Sequence, residues 1–484
     1  MRARAAAAAA LMFACGASRP GKGERRIALA PCRLKGVAYV TLCGSLRVPE
    51  DRARPQGRQI ELRIAVVPAL ARAPAPDPLF LLAGGPGQAA TEAMAPLLAA
   101  LERVHRTRDF VLVDQRGTGG SGALRCEVAA STLQDLLSAD EPDPAQIDRC
   151  LASYQADVRH YTTAEAMQDL DEVRSALGYE RINLWGGSYG TRAALVYLRD
   201  HGGHARTAIL DGAAPFSLRM PLHFARDAQR AMDLLLDHCA QDAGCSASFP
   251  RLRARFEQLL ARLSAAPARA RVLDPQTGSA SEVMVAKEAF TGILRGVLYA
   301  PDLAVLTPLT LDRAAQGDYG PFVAQAAALE QGFSRKLSLG LLFSVVCSED
   351  APFIEPAEVE AEARGTFLGP ALARRFLEVC RRWPRAPLPP GHREPVHSAV
   401  PVLLLSGELD PVTPPAWADL AAATLPNSVR ITVPGVGHGA SLEGCSPRLI
   451  AQLVADGGLG GLDASCARQM RRPPFFLGYA GPQP

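Results

Sequence analysis

At 484 residues, with 48% hydrophobic and 21% charged side chains, the chain has the composition of a globular protein with a large domain and room for an insertion. Its net charge of +3 is small for that length and its arginines are scattered, which leaves no electrostatic case for a nucleic-acid partner.

The N-terminus reads as a targeting segment. Met1-Arg2-Ala3-Arg4 is a basic start, Ala5 to Ala14 a short apolar run, and Cys15-Gly16-Ala17-Ser18 a stretch of small residues suited to cleavage. Residues 1–17 are therefore expected to be a signal peptide, and the protein secreted or periplasmic. A spanning helix needs about 20 apolar residues, so this run is too short to cross a bilayer. Met12-Phe13-Ala14-Cys15 also resembles a degenerate lipoprotein box that would make Cys15 a lipid anchor; Phe13 is bulky for it, and simple export ranks first. The ten other cysteines are even in number and fall into successive neighbours, as an oxidising compartment permits. Mostly sequential disulfides are expected, with buried free thiols as the alternative.

Strands are expected at Gly44 to Val48, Gln59 to Val67, Pro78 to Leu82 and Phe110 to Val113, with a helix from Ala89 to Val104. Thr163 to Leu177 carries Met167, Leu170, Val173 and Leu177 at helical spacing. Arg181 to Trp185 is a buried strand, Thr191 to His201 a helix, and Thr207 to Leu210 another strand. After Pro215 the pattern turns helical: Phe224 to Cys239, Arg251 to Leu263 and Lys287 to Leu298. Leu337 to Val346 is interrupted by Ser338, Gly340 and Ser344 and reads as core. A proline-rich connector, Arg382 to Val400, leads to a strand at Val400 to Ser406, a helix at Trp417 to Thr424 and a last strand at Val429 to Val433. Alternating strands and helices give an α/β class, a mostly parallel central sheet with helices on both faces. The expected division is a core of residues 32–215 and 396–484, interrupted by a large helical cap of residues 216–395.

The chemistry sits in Trp185-Gly186-Gly187-Ser188-Tyr189-Gly190, a G-x-S-x-G elbow between a strand and a helix, the feature of an α/β-hydrolase fold. A serine hydroxyl needs a base, and the base a carboxylate, in chain order Ser, Asp/Glu, His. Asp410 follows the strand at Val402, and His438 follows the strand at Val429; Ser188, Asp410 and His438 form the expected triad. Glu408 is two residues nearer its strand and would point elsewhere. His201 and His204 lie on or after the elbow helix, and His392 and His397 are expected at the surface of the connector. The oxyanion hole is expected from the backbone N–H groups of Tyr189, at a helix start, and Gly85, in Gly84-Gly85-Pro86-Gly87. Gly117, Gly119 and Gly122 make a literal G-x-G-x-x-G, but no good helix opens there and the acid precedes the glycines, so no dinucleotide is expected. No metal-ligand spacing or CxxC pair is present, so neither a cofactor nor a metal is expected.

Gly84-Gly85-Pro86-Gly87, Asp114-Gln115-Arg116-Gly117-Thr118-Gly119-Gly120-Ser121 and Gly186 to Gly190 together resemble the proline iminopeptidase and tripeptidyl aminopeptidase family of α/β-hydrolase serine exopeptidases. Ala83 stands where proline iminopeptidases usually carry a histidine, which favours the secreted tripeptidyl branch. The resemblance implies peptide substrates with a free N-terminus, cleaved through an acyl-enzyme without a cofactor. It also implies acidic residues that bind the α-ammonium. In Ser344-Val345-Val346-Cys347-Ser348-Glu349-Asp350 these would be Glu349 first and Asp350 second, with solvated loop acids as the plain alternative. An esterase or lipase-like hydrolase on the same triad is the second reading, because the elbow does not distinguish ester from amide.

Overall fold

A computed structural model describes residues 27–126, 132–137, 144–275, 277–332 and 337–482. The expected signal peptide and Cys15 lie outside the described residues.

The strands in chain order are β1 (Ala30–Cys32), β2 (Thr41–Pro49), β3 (Gln59–Val67), β4 (Leu79–Leu82), β5 (Phe110–Val113), β6 (Ile182–Gly187) and β7 (Ala205–Asp211). A small hairpin of β8 (Ala268–Leu273) and β9 (Ala280–Val285) follows, then β10 (Val402–Gly407) and β11 (Ser428–Val433). All but the hairpin join one nine-stranded sheet in the order β1-β2-β3-β5-β4-β6-β7-β10-β11. Pairings from β1 to β5 are antiparallel, and those from β5 across to β11 are parallel.

Burial follows from that topology. β4 and β5 are buried at every position, as strands covered on both faces must be. Successive side chains pass to opposite faces: Phe80, Leu82, Val111 and Leu184 enter one core, and Leu79, Leu81, Leu112 and Trp185 the other. At the antiparallel edge β3 starts by alternating, with Ile60, Leu62 and Ile64 inward and Gln59, Glu61 and Arg63 outward.

Between β7 and β10 the chain is mostly helical, and much of it packs around a separate core that includes Met232, Leu235, Phe256, Phe290, Phe322 and Phe367. The Leu339–Glu349 helix instead joins the main core through Leu341, Val345 and Val346. Residues 383–401 contain no helix or strand. Among the described residues no helix is long and apolar enough to cross a membrane.

Several expectations need correction. The helix expected from Ala89 to Val104 is three short helices, Ala90–Ala93, Ala95–Ala100 and Glu102–His105, broken at Met94 and Leu101. Pro96 sits in the first turn of the second piece, where its missing N–H and its ring prevent continuation from the first. The β8–β9 hairpin was not expected, although Ala270, Val272, Val283 and Val285 point inward at strand alternation. The Ser446–Asp456 helix also went unread; its Leu449, Ile450 and Leu453 cover the sheet, and Gly457 ends it at φ 69°. His392, expected at the surface, is 3% exposed.

The ten described cysteines form five disulfides, each joining sequence neighbours: Cys32–Cys43, Cys126–Cys150, Cys239–Cys245, Cys347–Cys380 and Cys445–Cys466. Cys347–Cys380 ties the Leu339–Glu349 helix to the Ala371–Arg382 helix. A closed loop of about 15 residues is worth roughly 3 kcal/mol, so short local loops such as these stabilise individual segments rather than long-range topology.

Candidate active site

Ser188 stands between β6 and the Tyr189–His201 helix with φ 55° and ψ −124°, a conformation L-residues rarely adopt. Its neighbours make the turn feasible. A Cβ on Gly186 would lie 2.2 Å from Gly190 O, and one on Gly190 would lie 2.2 Å from Leu82 O. The backbone is held on both sides: Ser188 N donates to Asp211 O (2.8 Å), and Thr191 Oγ1 donates to Ser188 O (2.6 Å).

Asp410, in the loop after β10, is 0% exposed. Its Oδ1 accepts the N–H groups of Val412 (2.9 Å) and Thr413 (2.8 Å). Its Oδ2 accepts the Thr413 hydroxyl (2.9 Å) and faces His438 Nδ1 at 2.8 Å. Burial alone would raise the Asp410 carboxyl, but the His438 charge and these hydrogen bonds outweigh it and hold the group below the usual carboxylate range. An ionised carboxylate only accepts, so Nδ1 carries the proton in this pair and Nε2 keeps its lone pair.

His438 lies after β11, and its own backbone N–H donates to Tyr299 O (2.8 Å) while the Tyr299 ring meets the imidazole edge-on at 5.0 Å. Burial pulls the imidazole down, yet the charge and hydrogen bond of Asp410, with Asp211 adding to them, hold it above the ordinary histidine value. The two loops are joined directly: Leu409 N donates to Val436 O (2.8 Å) and Gly435 N to Glu408 Oε2 (2.8 Å). Glu408 therefore points at the other loop, away from His438.

Ser188 and His438 line one cavity of 410 Å³, together with Gly85, Tyr189 and Thr413. The glycine loop after β4 approaches closely, since a Cβ on Gly84 would lie 3.2 Å from Ser188 Cβ. Most of the remaining wall is apolar, including Met94, Leu97, Trp185, Met220 and Phe376.

Glu349 and Asp350 are not brought to that cavity. Both are 0% exposed and belong to a closed network behind the elbow helix. Glu349 accepts from Thr163 N (2.7 Å) and Thr163 Oγ1 (2.8 Å), and His392 Nε2 lies 3.7 Å from it. Asp350 pairs with Arg192 Nη1 at 2.8 Å, and Arg192 is itself fully buried. The expected ammonium anchors are thus already neutralised inside the protein.

The glycine-rich segment after β5 is also satisfied internally. Asp114 accepts from Thr91 N, Thr91 Oγ1 and Gly120 N at 2.9–3.0 Å. Arg116 makes a two-pronged pair with Asp169, both contacts 2.7 Å. Among the described residues no group of three or more His, Cys, Asp or Glu side chains is arranged to hold a metal ion.

The family described as TAP-like protein matches residues 365–466, the stretch that contains Asp410 and His438. Serine protease Hip1 of Mycobacterium tuberculosis is 27% identical over 464 residues, covering 86% of each chain. Tripeptidyl aminopeptidase of Streptomyces lividans is 31% identical over 186 residues, 35% of this chain and 34% of that one. The chain is thus similar to TAP-like α/β-hydrolases. It is also similar to Carboxylesterase B of Mycobacterium tuberculosis, 28% identical over 463 residues and covering 88% of this chain and 86% of that one. Among solved structures, a proline iminopeptidase of Mycobacterium smegmatis aligns with 85% of this chain and 98% of its own at a TM-score of 0.42 and 16% identity.

Two residues of the candidate site were not among those expected from the sequence. Asp211, at the end of β7, accepts Ala440 N (2.9 Å) and Ser441 N (2.8 Å), so it pins the loop after His438 while its carbonyl holds Ser188 N. Its place directly after a buried strand was the available signal. Thr413 donates to Asp410, and its hydroxyl lies 3.1 Å from His438 Nδ1. Only its closeness to Asp410, whose side chain can take up backbone N–H groups just after it, hinted at this.

Proposed function

We propose that the chain is an exported serine exopeptidase that releases short fragments, prolyl or tripeptidyl, from the N-terminus of peptides. That it is a serine peptidase rests on its likeness to a serine protease and a tripeptidyl aminopeptidase. Ser188 is the proposed nucleophile, His438 the base and Asp410 the group that orients it. Ser188 Oγ attacks the scissile carbonyl as His438 Nε2 takes its proton. The resulting oxyanion meets the backbone N–H groups of Tyr189 and Gly85. His438 then protonates the departing amine, and water attacks the acyl-enzyme with His438 as base.

The observation that carries this reading is the 2.8 Å Asp410–His438 contact on the same cavity as a strained Ser188. The proposed cap, residues 216–395, is supported by its share of the cavity wall, from Leu218 to Phe376. Export is supported by the basic–apolar start of the chain and by the five disulfides. A lipid anchor at Cys15 is the alternative form of export, and the mass of the mature N-terminus separates the two.

The carboxylic-ester reading is favoured by one observation, the similarity to Carboxylesterase B along most of both chains. A panel of aminoacyl, dipeptidyl and tripeptidyl amides beside short acyl esters tests the two. Hydrolysis of the amides, abolished by N-terminal acetylation, supports the exopeptidase; turnover of esters alone overturns it.

A further inference from the structure

The charges around the cavity are lopsided. Asp211 is the one carboxylate among its described lining residues, and both its oxygens already accept backbone N–H groups. The cation on the wall is Arg295, from the Lys287–Val297 helix, and it forms no ion pair among the described residues. Its partners are uncharged. Nη2 donates to the Tyr299 hydroxyl (2.8 Å), and the guanidinium lies over the rings of Phe224 (4.6 Å) and Tyr299 (5.3 Å). Nε is buried with no acceptor.

Aromatic rings against the face of a guanidinium fix its plane while leaving N–H donors at its edge. That is the preparation a planar anion requires, and a carboxylate is the planar anion a peptide carries. A substrate ammonium placed near it would instead meet a like charge.

We infer that Arg295 is a specificity-determining residue that binds a substrate carboxylate, either the free C-terminus of a short peptide or an acidic side chain near the scissile bond. The inference rests on the cavity being the substrate site of the proposed serine hydrolase. Arg295 also touches Tyr299, whose ring and carbonyl contact His438, so a rate alone would mix recognition with positioning.

Binding to the full chain carrying Ser188→Ala avoids that mixture. Calorimetric titration would compare two matched pairs: tetraalanine against its C-terminal amide, and Ala-Ala-Glu-Ala amide against Ala-Ala-Gln-Ala amide. The carboxylate member of one pair should bind about ten-fold tighter or more, and the pair that shows it identifies the source of the carboxylate. Adding Arg295→Gln should bring that ratio to about one while changing affinity for the neutral member less than about two-fold; Arg295→Lys should leave an intermediate ratio. Equal affinities within both pairs, a ratio that survives Arg295→Gln, or no binding of any of the four would overturn the inference. Failure of the proposed catalytic role is seen separately, as retained hydrolysis by Ser188→Ala.

Discussion

Two buried carboxylates, Asp410 and Asp350, differ in what their partners can do. Asp410 faces His438, whose other nitrogen carries a lone pair and whose ring borders the cavity. Asp350 faces Arg192, which never gives up its proton and spends its other donors on the carbonyls of Ala214 and Leu218. Both acids are fully enclosed. Burial therefore says little about function; the titratability and exposure of the partner decide it. In the proposed mechanism the first partner, His438, passes a proton to a reacting atom, whereas the second, Arg192, ties the elbow helix to the end of the Leu339–Glu349 helix.

The substitution with the largest consequence is at Ser188. Ser188→Ala should lower kcat by about 10⁶-fold with the thermal transition preserved, measured on whichever amide or ester the wild type turns over best. Activity within a factor of about ten of wild type would place the chemistry elsewhere.

Asp410→Asn should cost about 10⁴-fold in kcat, because the amide cannot stabilise the imidazolium or enforce its tautomer. The pH profile gives a second reading of the same pair. His438 must be neutral to act as base, and its folded value is held above the ordinary imidazole value, so the acid limb of kcat/KM should lie above about pH 6.5. In Asp410→Asn the residual activity should show that limb moved to lower pH. A limb that stays in place would detach Asp410 from His438.

At the other carboxylate, Asp350→Asn should lower stability by about 3 kcal/mol by leaving buried Arg192 with only Glu349, 4.0 Å away, as a charged partner, and should leave KM for peptides with a free N-terminus unchanged. A selective rise in KM with stability intact would return Asp350 to the ammonium-binding role that the family resemblance implied.

Thr413→Val is the smallest expected change. Losing the hydroxyl shared by Asp410 and His438 should cost about 1 kcal/mol, or roughly five-fold in kcat, with KM unmoved.

Much of the scaffold was legible because β4 to β7 and β10 are short, largely apolar runs and β11 alternates buried with exposed positions, each ending in a loop that carries glycine or a candidate site residue. The elbow was legible because only glycine tolerates its close approaches at positions 186 and 190. Contacts set by tertiary packing were not. Glu349 and Asp350 end a buried helix, but nothing local shows that Arg192 and Thr163 come to meet them. His392 sits in a proline-rich stretch that reads as surface, yet it packs against the Phe216 ring at 4.6 Å. Asp211 acts through backbone amides more than 200 positions later, a relation no local pattern encodes.

His438, poised by Asp410, is proposed to make Ser188 reactive. Fluorophosphonate labelling of the intact protein, mapped by mass spectrometry, tests it most directly. A single adduct on Ser188 that forms at neutral pH and is lost or slowed about a thousand-fold in His438→Ala is the predicted result. An unlabelled Ser188 in folded protein, or labelling that proceeds equally fast without His438, would contradict the account.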